Sequence, residues 1–242
     1  MGEGLFVLGK LAFAAIGVAV GWQLAVEARR GDAVGLHTLA LAAIGVGGLG
    51  LLAMPLANGL GSEALSLAGE GAVRIALLLL CFFVARTFRP GAVGLALAVA
   101  CSASLIATLV WDVRAQPSLI HYDYALASSH ANQAAAALPF AWSVLESTAA
   151  WRRTRRRARI GLADPVLAER FLLWGLTTSC FVGINGLAIA GGVASASGAT
   201  GAAELAHGLR GVLYLAISAF VWRVRFAAAT AGARNPAGDA AR

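Results

Sequence analysis

The sequence predicts an all-α integral membrane protein: a bundle of seven transmembrane helices, N-terminus outside and C-terminus in the cytoplasm. Three observations carry that expectation. Of 242 residues, 59% are hydrophobic and only 13% charged, about half the charged share of a soluble domain. The apolar residues gather in blocks of about twenty, the length a helix needs to cross ~30 Å of hydrocarbon. The nineteen basic residues, one of them a lysine, concentrate in a few connecting segments. The blocks also lack the alternation of a barrel strand, and only helices or closed barrels satisfy their backbone in lipid.

The first block spans roughly 5–25 and ends at Glu27-Ala28-Arg29-Arg30. No basic stretch precedes it, so we expect no cleaved signal peptide. The second runs from about 36 to 57. The third starts near Ala64 and ends at Arg86-Thr87-Phe88-Arg89-Pro90, where proline blocks continuation. The fourth covers about 91–113. The fifth starts near Tyr124 and ends at Trp151-Arg152-Arg153, with a kink expected at Pro139. The sixth is about 171–193, and Asp164-Pro165 marks a helix start before it: a side-chain acceptor at the N-cap, then a fixed φ. The seventh runs from about 203 to 222. Residues 1–226 form the transmembrane domain, and 227–242 read as a disordered cytoplasmic tail.

An N-outside chain puts Arg29, Arg30, Arg86, Arg89, the run from Arg152 to Arg159, Arg170, Arg223, Arg225, Arg234 and Arg242 in the cytoplasm. That is fifteen of nineteen basic residues, and the bias toward one side sets the orientation. The net charge of +7 therefore belongs to membrane topology, and no nucleic-acid partner is expected. Cys81, Cys101 and Cys180 lie inside apolar segments and read as small buried hydrophobes. Gly17 and Gly21, with Gly45, Gly47, Gly48 and Gly50, suit close helix packing within the bundle or in a dimer. The arginine bias and the richness in alanine and glycine predict a bacterial source and the inner (plasma) membrane.

Ionisable groups inside a span cost about 2.5–3.5 kcal/mol each by insertion scales, and here they are one-sided. Glu70 and Arg74 share a helix face at i,i+4. Asp112 ends the fourth helix, and His121, Asp123, His130 and Asn132 enter the fifth. Glu204, His207, Arg210 and Tyr214 form a stripe on the seventh, while Lys10 lies near the outer end of the first. The inner half offers only Glu146 and Gln23. We expect the outer set to converge inside the bundle around a water-accessible cavity, with Glu70, Asp112 or Glu204 as the carboxylate partner of Arg210.

Three roles remain open for that set: a salt-bridge network locking helices three, four and seven; a pocket for a small polar or anionic ligand; and a metal site. Glu204-x-x-His207 is a chelating spacing, and His130 and Asp123 (or His121) complete a candidate set. His37 reads as an interfacial side chain.

The arginine run Arg152, Arg153, Arg155, Arg156, Arg157 and Arg159 reads as an anchor to anionic lipid, as a docking face for a cytoplasmic signalling partner, or as both. In topology the chain resembles rhodopsin-type and other seven-helix receptors. The seventh helix has no lysine for a Schiff base, so no retinal is expected; no other cofactor is specified. The best overall expectation is a sensor-like or accessory membrane protein acting through a separate partner. A small-solute transporter and a metal-dependent intramembrane hydrolase stand as alternatives.

Overall fold

The computed structural model describes residues 2–28, 42 and 45–233. Arg29, Arg30, His37, Arg234 and Arg242 lie outside the described residues, as do the start expected for the second helix and the side chains of Gln23 and Arg225. Every regular element among the described residues is helical. In chain order they are α1 (Gly2–Ala28), a π-helical turn (Gly45–Gly50) leading into α2 (Leu51–Leu60), α3 (Glu63–Phe88), α4 (Ala92–Ala115), α5 (Ala127–Arg159), α6 (Pro165–Ala196) and α7 (Thr200–Ala233).

Five stretches are long and apolar enough to cross a membrane: Gly4–Trp22, Glu63–Phe88, Ala92–Ala115, Pro165–Ala196 and Thr200–Arg223. The chain is a multi-pass membrane protein. Its outer surface agrees: Leu95, Val99, Ile106 and Val110 form an exposed apolar stripe along α4 at helical spacing. Such a stripe suits lipid and would be costly in water.

The expected boundaries shift in three places. Tyr124 precedes α5, which begins at Ala127. Seven residues past 226 are still helical, because α7 runs to Ala233. The second helix is less regular than its apolar pattern implied, since a π-helical turn precedes it and Pro55 sits inside it. Proline removes a backbone donor and crowds the carbonyl four residues back, so this segment cannot be a uniform α-helix. The start of α6 is as expected, with Pro165 in its first turn and Asp164 accepting from the Val166 N–H at 2.8 Å.

Each helix packs on its sequence neighbours, and α7 closes the ring against α1. Closure depends on glycine: a Cβ on Gly9 would stand 2.4 Å from the Gly211 carbonyl oxygen, so the α1 and α7 backbones touch. The sharp return from α3 to α4 uses Gly91 at φ +116°, a conformation that side chains disfavour. Gly17 and Gly21 are both buried, and Gly45 and Gly50 pack against Ala76 and Val73 of α3.

Two apolar clusters fill the ring. One joins Leu77, Cys81 and Val84 of α3 to Leu105 of α4 and Phe140 of α5. The other joins Phe6 and Phe13 of α1 to Ile184 of α6 and Tyr214 and Ile217 of α7. Phe181 of α6 links them, stacked on Phe140 at 4.5 Å and edge-on to Phe13 at 5.4 Å. Because lipid supplies little hydrophobic drive between helices, such close packing holds the ring together. Polar side chains within spans turn to nearby carbonyls: Thr177 donates to Leu173 O, Asn185 to Phe181 O and Ser218 to Tyr214 O. The three cysteines are free thiols.

Candidate functional site

The polar residues singled out from the sequence fall into two groups at the end of the bundle opposite the arginine run. One centres on Asp112, which is 2% exposed. Its carboxylate is held entirely by neutral donors among the described residues. The Tyr122 hydroxyl donates to Oδ2, as does Asn132 Nδ2 at 2.8 Å. The Ser128 and Ser129 hydroxyls stand 2.9 and 3.1 Å from Oδ1, with Gln116 Nε2 at 3.3 Å. Gln116 also fastens the Asp123 backbone, accepting its N–H at 3.0 Å and donating to its carbonyl at 3.1 Å.

This network ties segment 116–126 down between α4 and α5. Burial first, and the hydrogen bond to Asp112 second, push the Tyr122 phenol well above the usual tyrosine range. Asp112 therefore does not serve Arg210, contrary to one of the partners expected. A charged acceptor with several donors around it needs no cation.

The second group contains the cations. Arg74 pairs with Glu70 through Nη2 at 2.5 Å and Nε at 3.0 Å, as the i,i+4 spacing implied. Arg210 has no ion pair among the described residues. Its guanidinium instead lies over two rings, 4.8 Å from the Phe6 centroid and 5.3 Å from that of Tyr124. Lys10 stands over the same Phe6 ring at 4.4 Å. Glu70, Lys10, Arg210 and Tyr124 lie near enough to act on one another electrostatically. Burial pushes the Tyr124 phenol up, but Arg210 and Lys10 outweigh that and hold it below its ordinary value. The local field is thus positive.

Cation–π contacts stabilise a desolvated arginine by about 2 kcal/mol but do not engage its in-plane N–H donors. Arg210 Nε and Arg74 Nη1 are both buried with no partner among the described residues, on residues only 6% and 5% exposed. An unmet donor of this kind costs on the order of 1–3 kcal/mol, more when charged.

The remaining candidates separate. His207 packs on Phe6 at 4.1 Å, and Tyr214 lies beyond it, 6.1 Å from the same ring. His130 has a buried Nε2 with no partner among the described residues, next to Gly192 and the Tyr124 backbone. Glu204 is exposed, and Asp123 Oδ1 accepts from the Ala125 N–H at 2.8 Å. Among the described residues no three His, Cys, Asp or Glu side chains gather as a metal set. Where an open cavity was expected, Tyr124, from the segment anchored by Asp112, lies over Arg210. Sequence reading missed Tyr124, whose signal was its nearness to an unusually polar connection.

At the other end, all six arginines of the 152–159 run are exposed. Arg155 stacks on Trp151 at 5.3 Å. Between α5 and α6 there, Trp151, Arg155, Arg159, Glu169 and Leu172 line a groove of about 520 Å³. Glu146, 6% exposed, accepts from Arg89 Nε at 2.6 Å and from Trp142 Nε1 at 3.3 Å.

No family model matches this chain, and no curated protein or solved structure shows significant similarity to it.

Proposed function

We propose that this chain is a seven-span membrane sensor of a bacterial inner membrane, its N-terminus outside and its arginine run in the cytoplasm. A small polar or anionic ligand binds at the outer end, and the exposed arginine face engages a cytoplasmic partner. The observation that carries this reading is the pair of buried guanidiniums, Arg74 and Arg210, with N–H donors left open. They lie at the end opposite the exposed arginines, and a closed ring of helices joins the two.

α5 supplies the mechanical connection. Its N-terminal turn carries Ser128, Ser129 and Asn132 on the Asp112 network, and its C-terminal extension carries the arginines. Lifting segment 116–126 to admit a ligand breaks bonds to that turn, so the helix bearing the docking face is biased directly.

The test compares hydrogen exchange at residues 152–165 in wild type and Arg210→Ala, against a panel of carboxylates, phosphates and amino acids. Sensing requires that at least one compound change exchange there in wild type and not in the variant. Unchanged exchange with every compound that binds would refute it.

A second reading, a small-solute transporter, is favoured by one observation. The π-helical turn Gly45–Gly50 and Pro55 make α2 discontinuous where it packs on α3 beside Arg74. Transporters use such broken helices near their sites. Uptake of a bound compound into proteoliposomes would favour transport over sensing.

A further inference from the structure

Deepening the ligand-site reading above, we propose that Lys10, Arg74 and Arg210 together bind a small oxyanion carrying two negative charges. The class comprises inorganic phosphate, a phosphomonoester headgroup and a short dicarboxylate. Charge balance comes first. Three cations from α1, α3 and α7 share the site with one carboxylate, Glu70. Arg74 and Arg210 against Glu70 leave one positive charge uncompensated in a region screened from water, and a protonated Lys10 makes it two, whereas natural buried charges are paired. Arginine cannot relieve the imbalance by losing its proton.

Donor geometry comes second. The open positions, Arg210 Nε and Arg74 Nη1, are in-plane guanidinium N–H groups. Such groups match the oxygens of phosphates and carboxylates, often in pairs, and are wasted on halide or on neutral solutes. Depth agrees as well. At 1.5 Å per residue, Lys10, Arg74 and Arg210 stand about 12, 16 and 15 Å from the outer ends of their helices. They therefore share one level of the ring.

The aromatic walls set the size. Phe6 underlies both Lys10 and Arg210, and Tyr124 covers Arg210 from the 116–126 segment. A compact ion fits between such walls once Tyr124 moves. Asp112 and its donors then act as the latch of that cover, and its release is the step that admits the ion.

The full chain in detergent, unfolded thermally with added inorganic phosphate or succinate, tests the proposal. Chloride and acetate at matched ionic strength are the controls. We expect one dianion to raise the Tm by about 4 °C at saturating concentration, and the monoanions to do nothing. Arg210→Gln and Lys10→Gln should each weaken that binding at least tenfold, with the basal Tm unchanged or raised, because an unpaired buried charge has gone. Nanodiscs doped with phosphatidic acid separate the two sources of phosphate. A Tm rise there, without one from soluble phosphate, assigns the ion to a lipid headgroup. If neither soluble dianions nor phosphatidic acid shifts the wild-type Tm, the site does not exist. Equal shifts in wild type and in both variants overturn it too. Should Arg210→Gln fail to fold, broadening of the phosphate phosphorus resonance by wild type but not by Lys10→Gln decides the matter. Phosphate binding with no change at residues 152–165 refutes sensing and keeps the anion site. A response at residues 152–165 that persists in Arg210→Gln does the reverse.

Discussion

Arg89 Nε donates to Glu146 Oε1 at 2.6 Å, yet the two side chains differ sharply in exposure, 55% against 8%. The pair joins the last turn of α3 to the middle of α5. Its asymmetry makes the two halves unequal to mutation. Arg89→Ala strands a buried carboxylate with the Trp142 N–H as its remaining donor, at 3.3 Å. We expect a loss on the order of 3 kcal/mol. Glu146→Gln leaves a guanidinium that water can reach and should cost under about 1 kcal/mol. Unfolding of both variants in detergent compares them, and equal losses would show that burial of Glu146 is not what matters.

Ring closure rests on a backbone contact that tolerates no Cβ. In Gly211→Ala the new methyl would sit 2.6 Å from the Leu5 carbonyl oxygen. Helices α1 and α7 must then part, at a cost of about 1–3 kcal/mol. Gly186 offers the opposite case, with nothing within 4 Å of its would-be Cβ. Gly186→Ala should be neutral or gain up to about 1 kcal/mol from helix propensity. Thermal unfolding reads both, and a destabilised Gly186→Ala would mean that this face is covered.

What the sequence made legible follows from periodicity and local spacing. The seven helical segments, the Asp164-Pro165 start and the Glu70–Arg74 pair all depend on residues within a few turns of one another. Partners such as Arg89 and Glu146 lie 57 residues apart, and no spacing rule joins them. The Asp112 network was half visible. Gln116, Tyr122, Ser128, Ser129 and Asn132 crowd within twenty residues of it, but the expectation that a buried arginine needs a carboxylate makes Asp112 one of three candidate partners of Arg210. Enough neutral donors satisfy a carboxylate just as well. No spacing rule points from Arg210 to Tyr124, the ring it lies over.

The Asp112 network fixes segment 116–126, so removing its hub should loosen that segment before anything else. Asp112→Ala leaves Asn132 Nδ2 and the hydroxyls of Ser128 and Tyr122 without their acceptor. The expected cost is about 2–4 kcal/mol. Amide exchange at residues 116–126 should rise more than tenfold, while exchange in the cluster around Leu77 and Phe140 changes little. Uniform acceleration across the chain would indicate global unfolding and refute the latch.

Tyr122 adds an alkaline signature. Its folded phenol holds the proton more tightly than the ordinary value of 10.0 allows in the unfolded chain. The stability it contributes is therefore complete below pH 10 and drains away as pH climbs toward the raised folded value. Of the three tyrosines, Tyr122 should resist ionisation well beyond the ordinary range in an absorbance titration at 295 nm. Tyr122→Phe should remove one tyrosine equivalent from the late-titrating absorbance; an unchanged late amplitude would assign the raised phenol elsewhere.

α5 is not among the five stretches apolar enough to be read as spans from composition. A crossing by α5, as the proposed seven spans require, would have its polar groups met inside the ring. Asn132 is spent on Asp112, Ser143 on the Trp174 N–H and Glu146 on Arg89, so few of its polar groups would meet lipid. Seven spans and five spans predict different sides for the loop between α2 and α3. With the native cysteines replaced by alanine, Gly59→Cys and Ala199→Cys should both react with a membrane-impermeant maleimide from outside, and Arg153→Cys only after permeabilisation. Were α2 and α5 not to cross, Gly59→Cys would react from the same side as Arg153→Cys. Lys10, Arg74 and Arg210 would then no longer face a common aqueous compartment.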